Sequence, residues 1–407
     1  MHIVDAASDF PEDLVAALTA LGCTLDLGVA DDQLDDRLRQ AAAVVVNPAI
    51  QPTHPSLQRL QAAGVPLTSE LAMTWSRYPS ETVVAVTGSN GKSTLAATLA
   101  ASWPAALGGN FERSLLDLDG SLLDECETAP GDADAPRPAV LEVSSFQAAH
   151  LAQFGSPLTC RVAVLTSLDN NHLDWHGDRP AYEAAKRSLL ERASEAIVGP
   201  PEALSRLNLL DDRRARPTPP ERLAETVLAL VADHRDVQPV QLPHRFVSVL
   251  EAHGVRCVDD SAATSPAAVA HALDRLTKTS DGDATVVLIL GGRNKGFDLD
   301  ALARHVAPRV EAVATIGETA GELARLIAIH GGRVRSHRSL AKAVRWGWKL
   351  LGKDRGGTLL LAPGLASTDD FADYRARGRA FADACRDEVA REAKRAGRDQ
   401  QAGSDSL

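Results

Sequence analysis

Aromatic side chains make up only 4% of this chain, too few for the stacked rows of rings that grip single-stranded nucleic acid. Basic residues are also outnumbered. Against 54 Asp plus Glu there are 43 Lys plus Arg, a net charge of −11, which excludes a general polyanion binder while allowing a local basic pocket. Cysteine is sparse: Cys23, Cys126, Cys160, Cys257 and Cys385 are scattered, with no Cys-x-x-Cys spacing. Such a set reads as free thiols in a reducing compartment, without a zinc site. No apolar run approaches the roughly 18–20 residues of a membrane span, and no charged-then-apolar leader opens the chain. A soluble, cytoplasmic protein is expected, with neither nucleic acid nor membrane as partner.

What remains is ordinary globular material, 44% hydrophobic over 407 residues, enough for two or three domains. Short apolar strands alternate with helical patterns, the signature of an α/β fold built around parallel sheets. Three blocks separate. Residues 1–80 carry weak strands such as "AAAVVVNPAI"; residues 81–238 hold the densest polar motifs; residues 239–396 restart the pattern with "TVVLILGG", "AVATIG" and "GTLLLAP". The proline-bearing "RDVQPVQLP" reads as a linker between the last two blocks, and residues 397–407 as a disordered polar tail. No internal repeat is visible.

The stretch "TVVAVTGSNGKSTLAATLA" joins a buried strand to a helix through a glycine turn. A standard nucleotide loop has a glycine five residues before the Gly-Lys pair. Here that position is Val86, and the leading glycine, Gly88, stands three before Gly91, so the loop belongs to a subclass. In such a turn (Gly88, Ser89, Asn90, Gly91) backbone N–H groups and the helix N-terminus converge on an anion. Lys92 would meet the β- and γ-phosphates, and Ser93 or Thr94 would offer a hydroxyl to Mg²⁺. A tight turn without a ligand is the competing reading.

"PAVLEVSSFQ" puts Glu142 at the carboxyl end of an apolar strand, where a charge must be paired or bind a metal. "VAVLTSLDNNHLDWHG" repeats the design with His172 in the polar turn, although a loop histidine is as often structural. Ligands sit beyond the carboxyl ends of parallel strands, so Lys92, Glu142 and His172 would reach one edge. In the next helix, "PAYEAAKRSLLERA", Lys186 shares the apolar stripe of Tyr182, Ala185, Leu189 and Leu190, with Glu183, Arg187 and Glu191 on the solvent side. A lysine there snorkels, pairs with a carboxylate, or is desolvated into a neutral amine. A neutral amine can capture CO₂ as a carbamate and become an anionic metal ligand.

The ordered motifs "TGSNGKST", "EVSSFQ", "NHLDWHG" with "YEAAK", "LPHRF", "DDSAAT", "LGGRNKG" and "APGLASTDDF" resemble those of the Mur ligases over about residues 40–390. The resemblance implies a three-domain architecture: an N-terminal Rossmann-like domain, a central phosphate-loop ATPase domain and a C-terminal Rossmann-like domain. It implies an ATP-dependent amide ligase that forms an acyl phosphate, with UDP-N-acetylmuramoyl-L-alanine and D-glutamate as substrates in peptidoglycan precursor synthesis, acting as a monomer. ATP, two Mg²⁺ ions and a carbamylated lysine would be its cofactors. By the same resemblance, Ser93, Glu142, His172 and the carbamate of Lys186 would hold metal. Asn110, Ser144 and Gln147 would contact the nucleotide sugar. Arg245, Asp260 and Lys295 would lie near ATP and the acyl phosphate, and Ser367 and Tyr374 near glutamate. Ser367 reads equally well as the N-cap of a helix beginning near Asp369. The motif "ASTDDF" favours a muramoyl substrate, but L-glutamate, a folate acceptor, or a non-catalytic nucleotide-sugar binder stay open.

The chain departs from the family in places. "MHIVDAA" looks like the family's second strand, with Asp5 at an acidic position near the uracil, so the expectation is either a truncated first domain with an open sheet edge or a start codon placed too late. Between Ile197 and Arg235 no His-Asn…Asn motif is found for the adenine. Ala262 stands where many members have lysine, and Phe111-Glu112 where Ile-Gly is usual.

Overall fold

The computed structural model describes residues 1–8, 12–103, 105–111, 138–169, 172–232, 236–279 and 285–404. The chain divides into two compact units, Met1–Leu168 with Trp175–Val240, and Asp169–Asp174 with Gln241–Leu407. The division at Val240 falls within the proline-bearing stretch read as a linker.

In the first unit the leading residues form two small parallel pairs rather than one sheet. Strand β1 (His2–Asp5) lies beside β2 (Thr24–Leu27), and β3 (Val44–Val45) beside β4 (Leu67–Thr68). Val44, Val46, Leu57, Leu60 and Val65 make a small core under the second pair. The strands β5 (Val83–Thr87), β6 (Ala106–Gly109), β7 (Ala139–Glu142), β8 (Cys160–Leu165), β9 (Ala193–Gly199) and β10 (Ala215–Pro217) then build a parallel sheet in the order β10-β9-β8-β5-β7-β6. A central strand of such a sheet is buried on both faces and reads as a continuous apolar run, which is why "VVAV" does not alternate with polar residues. Val83 and Ala85 pack with Leu151, Tyr182 and Leu189 on one face; Val84 and Val86 pack with Ala96, Leu99 and Val227 on the other. Strands β9 and β10 extend the sheet past the lysine helix; β10 is a short edge strand.

The second unit holds β11 (Val247–Ala252), β12 (Val255–Asp259), β13 (Val286–Gly291), β14 (Ala312–Ile316), β15 (Val334–Ser336) and β16 (Gly357–Gly364), ordered β11-β12-β16-β13-β14-β15. Only the edge strand β11 runs antiparallel to its neighbour. Alternate residues of β13 again feed two cores, Leu288 and Leu290 on one face, Val287 and Ile289 on the other. The final helix, Tyr374–Ser404, continues past residue 396, where a disordered tail was expected. The reason is composition: "REAKRAGRDQQ" is made largely of strong helix formers. Ser367 does not cap a helix at Asp369. Its carbonyl accepts the N–H groups of Asp370 and Phe371 in a turn, and the helix begins only at Tyr374, where the Asp373 carboxylate accepts the N–H of Ala376 at 2.7 Å. Among the described residues no helix is long and apolar enough to cross a membrane.

Candidate active site

Register places the chemistry on one edge of the first unit's sheet. Val86 stands opposite Glu142 on β7 and Val164 on β8, so Glu142, the glycine turn and the Thr166–Ser167 pair all leave neighbouring strands at the same level. The helix Lys92–Ser102 starts directly after Gly91, whose φ of 81° only glycine adopts freely. At Gly88 (φ 149°) an added Cβ would lie 1.9 Å from Thr166 Oγ1, so the strand end after β8 presses on the turn. That pair also holds the turn. Ser89 N–H donates to the Ser167 carbonyl at 3.0 Å and Asn90 N–H to Ser167 Oγ at 2.9 Å. Thr166 Oγ1 donates to the Asn90 carbonyl.

Lys92 Nζ curls back over this turn, donating to the carbonyls of Gly88 (3.0 Å) and Ser89 (3.1 Å). Ser93 is buried on the first turn of the helix, and Thr94 is exposed.

Lys186 lies where its helical position foretold. In the helix Arg179–Leu190 the buried residues are Tyr182, Ala185, Lys186, Leu189 and Leu190. Lys186 is 1% exposed, and its Nζ donates to the same Gly88 carbonyl at 2.8 Å and to Thr87 Oγ1 at 3.4 Å. It does not snorkel. Burial, reinforced by the Lys92 cation and only opposed by the Glu142 carboxylate, drives its pKa well below the ordinary 10.5. The amine also stands 4.8 Å from the centroid of the Tyr182 ring, whose hydroxyl bonds Ser89 Oγ at 2.7 Å.

Glu142 is 2% exposed. Asn110 Nδ2 donates to its Oε1 at 3.3 Å, but Oε2 is buried without a hydrogen-bond partner among the described residues. A buried carboxylate oxygen left that way is costly unless a cation takes it up. Among the described residues no three His, Cys, Asp or Glu side chains converge, so oxygens outside that set would have to complete a metal site at Glu142. A carbamate on Lys186 and the oxygens of a phosphate are of the right kind. The residues present therefore fit a hard divalent cation of the Mg²⁺ type.

Other expected residues have different surroundings. Ser144 and Gln147 form a reciprocal capping box at the start of the helix Ser145–Gln153, the Gln147 Oε1 accepting the Ser144 N–H at 3.0 Å. His172 is exposed, has a left-handed φ of 55°, and belongs to the Asp169–Asp174 segment that groups with the second unit. Glu112 and Cys126 lie outside the described residues.

In the second unit Asp260 is half-buried and accepts the Phe246 N–H at 3.1 Å. Burial pushes its carboxyl up to about 7, against the pull of the Arg245 and Arg275 guanidiniums. Next to it, the buried Asp259 carboxylate joins His244 Nδ1 (2.6 Å) and the Ser261 N–H (2.9 Å). Tyr374 stands edge-on to His244, with centroids 6.5 Å apart, and its carbonyl accepts Ser261 Oγ at 2.8 Å. Ser367 is buried, whereas Lys295 is exposed.

Sequence reasoning missed several contributors. Thr166 and Ser167 had a readable signal, a polar pair directly after an apolar strand. The Tyr182 hydroxyl was hidden because its ring reads as core. Arg377, 1% exposed and donating to Ser261 Oγ at 3.0 Å, its carbonyl at 3.0 Å and the Leu365 carbonyl at 3.3 Å, had none.

A glycine turn between a central parallel strand and a helix, with a lysine at the helix start and a buried carboxylate on the next strand, defines a phosphate-loop protein of the parallel α/β class. The family models for the Mur ligase middle domain and the Mur ligase glutamate ligase domain match residues 86–199 and 244–364. A UDP-N-acetylmuramoylalanine--D-glutamate ligase of Frankia casuarinae is 30% identical, the match covering 95% of this chain and 88% of that protein. A UDP-N-acetylmuramoyl-L-alanine--L-glutamate ligase of a Micromonospora species is 32% identical over 86% of this chain and 84% of its own length. Among solved structures, the MurF ligase of Thermotoga maritima in complex with ADP has the same fold, with a TM-score of 0.56 at 16% identity and coverage of 89% and 92%. The chain belongs to the Mur ligase family.

Proposed function

We propose that the chain is an ATP-dependent ligase that joins D-glutamate to UDP-N-acetylmuramoyl-L-alanine, in the cytoplasmic synthesis of peptidoglycan precursors, working as a monomer. The observation that carries this reading is the convergence on the Gly88 carbonyl of two lysine side chains, one at the phosphate loop and one buried, beside a carboxylate oxygen without a partner among the described residues.

The residues divide the work. The turn Gly88–Gly91 and the helix start offer N–H groups to the ATP phosphates, and Lys92 neutralises charge as the terminal phosphoryl moves to the alanine carboxylate. Phosphoryl transfer between two anions needs positioning and charge neutralisation above all. The acyl phosphate is then attacked by the glutamate amine, and the adduct collapses to amide and phosphate. Ser93, Glu142, His172 and a carbamate on Lys186 would hold Mg²⁺, which when bound lowers the repulsion between triphosphate and carboxylate. The neutral Lys186 amine has the free electron pair needed to bond CO₂, releasing a proton as the carbamate forms. Asn110, Ser144 and Gln147 face the nucleotide sugar in this reading. Arg245, Asp260 and Lys295 serve ATP and the acyl phosphate, and Ser367 and Tyr374 the incoming amino acid.

The test is phosphate release from purified protein that depends on ATP, Mg²⁺, UDP-N-acetylmuramoyl-L-alanine and D-glutamate together; glutamate-independent release, or none, refutes it. The second reading, transfer of L-glutamate, is favoured by relatives of comparable identity that bear that name. Exchanging the enantiomers in the same assay separates the two.

A further inference from the structure

Consecutive residues just past the carboxyl end of β3 are each held from the central sheet's side. The indole N–H of Trp175 donates to the Ala49 carbonyl at 2.8 Å. His150 Nε2 lies 2.8 Å from the Ile50 carbonyl, and because a carbonyl only accepts, that nitrogen carries the hydrogen. Gln51 Nε2 donates back to the Trp175 carbonyl at 2.5 Å. The Trp175 ring stacks on Phe146 with centroids 4.2 Å apart and planes 13° from parallel. Its other neighbour is His176, edge-on at 4.6 Å, which meets the Tyr182 ring edge-on at 5.4 Å. Tyr182 ends the series at Ser89 of the phosphate loop, 2.7 Å away. Aromatic pairs prefer stacked or edge-to-face arrangements, so each of these contacts fixes an orientation as well as a distance.

We infer that Trp175 is a positioning residue: it pins the Ala49–Gln51 segment to Phe146 and, through His176 and Tyr182, to Ser89, so that the nucleotide-sugar end and the ATP end of the reaction sit on one aromatic strut. Ligands of parallel strand pairs bind beyond the carboxyl ends, which is where residues 49–51 follow β3. The inference rests on the ligase reading for the identity of the nucleotide sugar. In the sequence Trp175 stood only as one letter of the NHLDWHG motif, with no role assigned, since its partner segment is over a hundred positions away.

Trp175→Phe keeps the stack and deletes the N–H; Trp175→His keeps a ring with a donor. One hydrogen bond is worth about a factor of 5–10 in affinity. For the Phe variant the KM for UDP-N-acetylmuramoyl-L-alanine is expected to rise by about that factor, roughly threefold or more beyond any change in KM for ATP. Amide exchange across residues 49–51 should quicken, and the His variant should recover most of both effects. Unchanged exchange in Trp175→Phe, equal rises in both KM values, or a His variant no better than Phe would overturn the inference. A wild-type chain that binds the nucleotide sugar by calorimetry yet fails to turn over would remove the ligase reading alone, and Trp175 is then decided by the same shift in the binding constant. Failure of the wild type to bind the nucleotide sugar at all removes both.

Discussion

Replacing Lys186 by methionine should make the protein more stable and inactive at once. The side chain is fully enclosed, and in the folded state burial and the neighbouring Lys92 cation depress the pKa of its amine. Deprotonating a lysine of ordinary pKa 10.5 in solution at pH 7 costs about 5 kcal/mol, at roughly 1.4 kcal/mol per pH unit, and this is the ceiling on what the neutral amine costs the fold. Methionine has a similar unbranched shape and no such cost. It loses the bonds to Gly88 O and Thr87 Oγ1, worth about 1 kcal/mol each at most, and Lys92 still satisfies the Gly88 carbonyl. The balance is a gain of at most about 3 kcal/mol, or at most roughly 6–12 °C in Tm for a unit of this size. The measurement is thermal unfolding in bicarbonate-free buffer at pH 7, paired with glutamate-dependent phosphate release in bicarbonate. The sign also runs with pH. Because the folded-state pKa is depressed, the unfolded chain binds more protons, and wild-type stability should climb as pH rises toward 10.5 while the variant stays flat. A variant that melts earlier than wild type at pH 7, or that keeps its turnover, would refute the reasoning.

Other expectations follow from the same geometry. Glu142→Gln keeps the Asn110 contact but removes the charge at the unpartnered oxygen; turnover should fall by about 100-fold or more, with weaker dependence on Mg²⁺ concentration, as read from metal titrations of the rate. Gly88→Ala would force a methyl to within 1.9 Å of Thr166 Oγ1 at a φ of 149°; about 2–4 kcal/mol of stability should be lost in urea melts, more than for Gly155→Ala, where the added carbon meets nothing. Asp260, whose carboxyl is raised from 3.8 to about 7, binds its proton more tightly folded than unfolded. Stability should therefore decline as pH rises from about 4 to about 7, and Asp260→Asn should flatten that slope in Tm measured across the range.

Much of the site was legible because its signals are local. Lys186 stood out since one helix turn away from Tyr182 is a position that must face the core, and the structure places it there. Glu142 stood out since a charge closing an apolar strand needs a partner, and one of its oxygens has none among the described residues. Contacts over long sequence separation were not legible. Thr166 and Ser167 grip the turn at Ser89 and Asn90 only because β8 and β5 are neighbours. Asp259 meets His244, and Arg377 meets Ser261, through a sheet order that no local pattern encodes.

By itself the sequence determined the element types, the phosphate loop and the identity of the chemical groups, because apolar periodicity, glycine and chain polarity act within a few residues. The order of strands β10-β9-β8-β5-β7-β6 was decided only by tertiary packing, and with it which polar strand ends meet. The depressed pKa of Lys186 was decided there too, since desolvation comes from the whole surrounding unit and from no neighbour in the chain.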